Sequence, residues 1–188
     1  MKQEINKLPH WLQGKFIILV GLMGAGKTKL GRIVASSINI PFIDTDAEIE
    51  KAAGYTVQEI FDRFGEKYFR DGERRVIERI LREQPTVLAT GGGAYMDSKI
   101  RNAMSTQGIT IWLRADLDLL VQRTKHRSGR PLLNKGNAKE ILSGLIAERY
   151  PVYAQSDLII DVYDEPALRT AKKIIDLLIS HNPKEDSK

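Results

Sequence analysis

Residues 16–28 read FIILVGLMGAGKT. The apolar run from Phe16 to Val20 opens directly into Gly21 to Thr28, and a helical pattern leads out. The eight residues GLMGAGKT match GxxxxGK[ST], the phosphate-binding loop, in the strand-loop-helix setting that gives the motif its meaning. Gly21, Gly24 and Gly26 let the backbone turn tightly, so that successive N–H groups, Ala25 included, can point inward at a di- or triphosphate. A helix starting at Lys27 adds its positive dipole end beneath the same phosphates. In this reading Lys27 carries a mobile positive charge to the β- and γ-phosphates and Thr28 offers a hydroxyl to Mg²⁺. The alternative, a glycine-rich turn that only joins strand to helix, has to treat strand, motif and helix as a coincidence.

Outward from this loop, short β-rich runs alternate with longer amphipathic ones, the pattern of a parallel α/β sheet with helices on both faces. Strands are expected at 16–20, 41–44, 86–90, 110–114 and 158–161. Near-continuous apolar runs such as ITIWL suit strands covered on both sides. Helix starts are marked by capping-box spacing at Thr56 and Glu59 and, more loosely, at Asn137 and Glu140. Asp116 is an expected N-cap, and Pro166 suits the first turn of the last helix. In such a sheet, ligands sit beyond the carboxyl ends of the strands, so the residues just after each strand carry the functional argument.

The chain has 188 residues, 42% of them hydrophobic and 28% charged, with a net charge of +5 and no cysteine. One domain is expected, and disulfides, thiol nucleophiles and Cys-based zinc sites are excluded. The three histidines, His10, His126 and His181, stand in no metal-ligand spacing. A basic balance favours anionic partners without choosing among them. The opening residues lack the apolar core of a signal peptide, and no run is long enough to span a bilayer, so a cytoplasmic protein is expected, with residues 1–14 as a short arm and 182–188 as a frayed tail.

Four stretches at the strand ends carry chemistry. Asp44-Thr45-Asp46 follows the second strand; read as extended chain, the two carboxylates share a face about 6 to 7 Å apart. Asp44, beside the phosphate loop, then suits Mg²⁺, and Asp46 suits a hydrogen bond from an attacking hydroxyl, unless Asp46 only caps the helix that follows. Gly91-Gly92-Gly93 ends the third strand and lets a ligand approach the backbone closely, if it is more than a flexible loop. Thr90 stands where many phosphate-loop proteins carry an acidic Mg²⁺ ligand, which leaves Asp44 as the better candidate. RTKHRSGRPLLNK, from Arg123 to Lys135, is dense in positive charge and broken by Gly129 and Pro131. It suits a lid over phosphates that carries an arginine to developing charge; its rival, a nucleic-acid patch, lacks the aromatic residues for base stacking. Arg149 is expected to end a helix just before Pro151 and to face back into the crevice. In the helical insert between strands two and three, Arg74, Arg75, Arg79 and Arg82 read as a solvated charged face, and composition does not separate Arg70 from them.

The ordered series GLMGAGKT, DTD at 44–46, GYTVQEIFDRFGEKYFRDGE, TGGG at 90–93, RPLL from Arg130 and ERYPVY around Arg149 resembles the shikimate kinases, from the phosphate loop almost to the end of the chain. The resemblance implies a three-layer nucleoside-monophosphate-kinase-like fold, a five-stranded parallel sheet in the order 2-3-1-4-5, with 45–83 as the substrate-binding insert and 125–137 as the lid. It implies ATP-dependent phosphorylation of the 3-hydroxyl of shikimate, in aromatic amino-acid biosynthesis, by a monomer that binds no nucleic acid or membrane. Asp46 would bind the diol and orient or deprotonate its hydroxyl. Arg70 and Arg149 would grip the carboxylate, Gly91 to Gly93 would line the ring's pocket, and Arg130 would reach the phosphates from the lid. Arg123 would pack near the adenine, with the turn at Glu165 and Pro166 completing that site. Two departures stand out: Lys29 replaces a second Ser or Thr after the GKT, near the α-phosphate, and Gln155 stands where Glu is usual. Two other readings remain at this point, a phosphate-loop kinase for another polyol acid such as gluconate and a catalytically silent nucleotide-binding module.

Overall fold

The structure, a computed structural model, describes residues 9–125 and 137–181. Arg130, His126 and all of the expected lid except Lys125 and Asn137 lie outside the described residues, as do most of the expected arm and the whole expected tail. Five parallel strands, β1 (Phe16–Val20), β2 (Phe42–Asp44), β3 (Val87–Ala89), β4 (Gly108–Ala115) and β5 (Leu158–Val162), form one sheet in the order β2-β3-β1-β4-β5. The expected strands are all present, with β4 longer at both ends and β2 and β3 shorter. Every residue of β1 is buried, as its position between two other strands and two layers of helices demands. Each fully buried Ile, Leu or Val there contributes about 1.5 to 3 kcal/mol.

Among the described residues, seven α-helices surround the sheet: α1 (Lys27–Ile38), α2 (Thr45–Ala53), α3 (Val57–Ile80), α4 (Ser98–Gln107), α5 (Leu117–Thr124), α6 (Ala138–Tyr153) and α7 (Ala167–Ser180). α1 packs on α7 and on β2 and β3; α4 packs on β1 and β4. The chain leaves β1 for β2 on one side and reaches β4 on the other, so the crevice opens at the carboxyl end of β1, where the glycine loop lies. The capping box is complete: the Thr56 hydroxyl accepts from the Glu59 amide at 3.2 Å, and Glu59 accepts from the Thr56 amide at 2.8 Å. Glu50 adds a tie between α2 and α3 by accepting the Val57 amide at 2.9 Å. Asp116 caps α5, Asn137 caps α6 and Pro166 stands at the N-cap of α7.

Three expectations are corrected. Asp44-Thr45-Asp46 is not extended: β2 ends at Asp44, whose carboxylate caps α2 by accepting the Asp46 amide at 3.1 Å, so the cap is Asp44 rather than Asp46. α6 does not stop before Pro151 but runs to Tyr153. Pro151 and Ala147, whose carbonyl loses its donor, are both exposed, so water can replace the missing bond. Of the arginines expected to form a solvated face, Arg75, Arg79 and Arg82 are exposed, Arg79 pairing with Glu48 of α2 at 2.8 Å, but Arg74 is half-buried and forks onto Asp97, the cap of α4, at 2.7 and 2.9 Å. Ahead of these ties α3 is broken once, at Gly65, whose φ of 81° is open to glycine at no steric cost.

Candidate active site

The phosphate loop runs from β1 into α1. Gly21 holds a φ of 138°, and a Cβ there would meet the Leu113 carbonyl oxygen of β4 at 2.8 Å. Gly26, left-handed at φ 98°, turns the chain into α1, whose N-terminus faces the crevice. Lys27 Nζ donates to the Gly21 and Leu22 carbonyls at 2.8 and 3.0 Å, which holds the ammonium against the loop. Thr28 Oγ1 donates to Asp44 Oδ2 at 2.7 Å, so the two expected Mg²⁺ neighbours touch between the start of α1 and the end of β2. Ala25 is buried, its amide bonded to the Leu22 carbonyl, while Gly24, Gly26 and Lys29 line the open cleft.

That cleft has a volume of about 590 Å³ and continues along the strand ends from the loop to α3 and α6. Its far wall is Gly91-Gly92-Gly93, and the neighbours of these residues explain why no side chain stands there. A Cβ on Gly91 would come within 2.6 Å of Glu73 Oε1 and 2.9 Å of Asp46 Oδ1. On Gly93 it would lie 2.4 Å from both terminal nitrogens of Arg70, and on Gly92, 3.6 Å from Arg149 Nη1. The expected acceptor residues Asp46, Arg70 and Arg149, which come from three different helices, therefore converge on one bare stretch of backbone. The run is also anchored: the Gly91 amide donates to Thr45 Oγ1 at 3.0 Å, and the Gly92 carbonyl accepts from the Tyr153 hydroxyl.

Electrostatics separate the carboxylates. Burial first, and the Asp44 charge second, push the Asp46 carboxyl up to about 6, against the opposing pull of Lys27. Its Oδ1 is buried with no hydrogen-bond partner among the described residues. Such a carboxyl is poised to exchange a proton near neutrality. Glu73, 1% exposed, is likewise pushed up by burial, with Arg70 pulling the other way through an ion pair of 2.7 Å. Arg70 also reaches Glu66 at 3.2 Å, on the solvent side.

At the opposite end, Arg123 donates to the Tyr163 carbonyl at 3.0 Å and lines the cleft with Glu165 and Ala167, on either side of Pro166. Glu165 is held by Thr170 at 2.9 Å and Lys173 at 2.8 Å. The expected nucleotide and acceptor residues thus occupy two ends of one crevice.

Sequence reasoning did not single out Glu73, Thr45 or Tyr153. Glu73 carries one faint signal, an opposite charge three residues after Arg70 on a helix, a spacing that on most helices is a solvated pair. Thr45, fully buried, and Tyr153 carry none.

A family model described as shikimate kinase matches residues 23–179. A shikimate kinase of Brucella canis is 48% identical over 187 residues, covering 100% of this chain and 94% of that protein. One of Paramagnetospirillum magneticum is 45% identical, over 96% of this chain and 94% of its relative. Among solved structures, shikimate kinase from Acinetobacter baumannii in complex with shikimate superposes with a TM-score of 0.87 at 36% identity, covering 90% of this chain and 96% of that one. A gluconokinase of Sinorhizobium meliloti superposes at 0.56 with 20% identity, a likeness of fold alone.

Proposed function

The chain belongs to the shikimate kinase family and so transfers the γ-phosphate of ATP to the 3-hydroxyl of shikimate, and we propose that Asp46 receives that hydroxyl while Arg70 and Arg149 grip the carboxylate. The observation that carries this division is the convergence of Asp46, Arg70 and Arg149 around Gly91 to Gly93. Two guanidiniums suit a carboxylate because each can fork onto it with charge-assisted bonds. Bare glycine backbone suits a flat ring that must lie close to the wall. Asp46, with its unpartnered oxygen, accepts the hydrogen of the acceptor hydroxyl and orients the oxygen for in-line attack.

On the donor side, the phosphate-loop amides and Lys27 hold the β- and γ-phosphates, and Lys27 meets the charge that grows on the transferring group. Lys29 adds a second cation beside the α-phosphate. Arg123 and Pro166 bound the adenine site, and Arg130, outside the described residues, reaches the phosphates from the lid at 125–137. A divalent cation fits between Thr28 and Asp44: their oxygens are hard donors already 2.7 Å apart. No cluster of three or more His, Cys, Asp or Glu is found among the described residues, which suits Mg²⁺, an ion that keeps most of its waters and is held largely by phosphate. When bound it neutralises charge on the β- and γ-phosphates.

The reading extends to the chain as one catalytic unit with 45–83 as its acceptor-binding part, monomeric and cytoplasmic. Among the described residues no helix is long and apolar enough to cross a membrane. A coupled ADP-release assay with shikimate, gluconate and related polyol acids tests the core of it. Turnover is expected with shikimate and at background level with gluconate. Mg²⁺-dependent turnover of gluconate at the shikimate rate would remove the bare glycine wall from the account, since gluconate shares the carboxylate but has no flat ring.

A further inference from the structure

We infer that Tyr153 is a positioning residue for the carboxylate grip: it holds the Gly92 carbonyl and braces Arg149. This rests on the reading above, in which Arg149 binds the carboxylate.

The run Gly91 to Gly93 has no side chains with which to fix itself. Its first amide is held by Thr45 and its turn closes through Ala94 N to Gly91 O at 3.1 Å and Met96 N to Gly93 O at 3.0 Å. The middle carbonyl, Gly92 O, takes its bond from outside, from the Tyr153 hydroxyl. A planar trans peptide points its N–H opposite its C=O, so holding Gly92 O also sets the direction of the Gly93 amide, beside Arg70.

Tyr153 lies one helical turn beyond Arg149 on α6, so both side chains leave the same face. Tyr153 is fully buried, Arg149 is 6% exposed, and the guanidinium acts electrostatically on the phenol oxygen. Arg149 Nε has no hydrogen-bond partner among the described residues. Among the described residues no carboxylate reaches Arg149 at ion-pair distance, although the Glu73 charge acts on it, so the guanidinium keeps its aim through what lies against it, the phenol and the Gly92 backbone. The tyrosine ring in turn packs among Tyr95, Trp112 and Tyr150, with centroids 6.0 to 6.3 Å away, so its hydroxyl is delivered from a rigid mount.

The same helix supplies its own control. Tyr150 also donates its hydroxyl to a backbone carbonyl, that of Ala115 at the end of β4, away from the glycine run. Tyr150→Phe and Tyr153→Phe each delete one phenol oxygen and leave one backbone carbonyl without its donor. Only the second is expected to act on the acceptor's carboxylate.

The test compares wild type with both variants on shikimate and on the same cyclohexene triol lacking the carboxylate. Tyr153→Phe is expected to raise KM for shikimate about tenfold or more, the order set by leaving a buried acceptor unpaired. KM for ATP should stay within about twofold, and kcat/KM for the carboxyl-free analogue should hardly move. Tyr150→Phe should leave the shikimate KM near wild type. If wild type itself shows no preference for the carboxylate, the assignment of Arg149 fails. If wild type prefers it and Tyr153→Phe keeps that preference in full, or if Tyr150→Phe loses it equally, the inference about Tyr153 is overturned. Should Tyr153→Phe not fold, NMR of wild-type protein decides: a slowly exchanging Tyr153 hydroxyl proton should shift on adding shikimate and not on adding the analogue, and the absence of a selective shift overturns it.

Discussion

Glu73 grips the guanidinium of Arg70 at 2.7 Å from one turn further along α3, and it does so from a position only 1% exposed. A surface pair at this spacing would add a few tenths of a kcal/mol. This one aims an arginine, because the buried partner has no other place to go. Glu73→Gln keeps the volume but exchanges a charge-assisted bond for a weaker one. KM for shikimate is expected to rise about tenfold, with KM for ATP unchanged. Glu73→Ala, which leaves Arg70 with Glu66 on its solvent side as ion-pair partner, should raise the shikimate KM at least as far. Equal KM values for wild type and Glu73→Gln would show that Glu66 is enough to position Arg70.

Asp46→Asn is expected to move activity and stability in opposite directions. Phosphoryl transfer should fall by about 10² to 10⁴, since the group that accepts the hydroxyl proton is gone, while ATP binding is retained. Stability should rise. The folded state pushes the Asp46 carboxyl up from 3.8 to about 6, so between those pH values the native state binds more protons than the unfolded one, and stability falls as pH rises through that window. Above about pH 6 the ionised wild-type side chain therefore costs about 2 to 3 kcal/mol that asparagine avoids. Thermal melts of nucleotide-free protein in EDTA should separate at pH 7.5 and coincide below pH 4. A variant less stable than wild type at pH 7.5 would contradict this.

Gly93→Ala places a methyl group where the Arg70 guanidinium now lies, 2.4 Å from two of its nitrogens. Gly93 has a φ of −94°, so the backbone accepts alanine, and the arginine, being the far end of a flexible chain, must move instead. The expected result is a rise of about tenfold in the shikimate KM with a loss of less than about 1 kcal/mol in stability. A loss of fold with no change in KM among the surviving molecules would place the constraint in the backbone instead.

Lys27→Ala should reduce kcat by about two to three orders of magnitude, as when a single donor to transition-state charge is removed. The fold should survive, because Lys27 stands on the wall of an open cleft rather than in the core. Circular dichroism and single-turnover kinetics check the two halves separately, and near-normal turnover would take the ammonium out of the chemistry.

Much of this was legible before any coordinates. FIILV followed by GLMGAGKT implied a buried strand, a phosphate loop and a helix because each has a local cause: apolar continuity, glycine freedom and cap chemistry. The strand order came instead from the resemblance, since periodicity does not say which strands are neighbours. The misread segments have local explanations too. Asp44 and Asp46 are two apart in any conformation, and only the abrupt end of β2 decided that the first caps the second's helix. Pro151 usually ends a helix, and exposure of its turn allowed α6 to continue to Tyr153.

What the sequence by itself determined is therefore whatever depends on neighbours along the chain: the loop that takes phosphates, the helix starts, the glycine run and the identities of the charged candidates. What only the tertiary structure decided is which of those charges face inward together. Arg70 and Arg75 have much the same composition around them, but packing of α3 against α2 and α4 turns Arg70 and Glu73 toward Gly91 to Gly93 and leaves Arg75 in solvent. Burial and charge coupling fall off over a few ångströms of space rather than over positions in a chain. The raised pKa of Asp46, the pairing of Glu73 and the hold of Tyr153 on Gly92 arise only once distant segments have met.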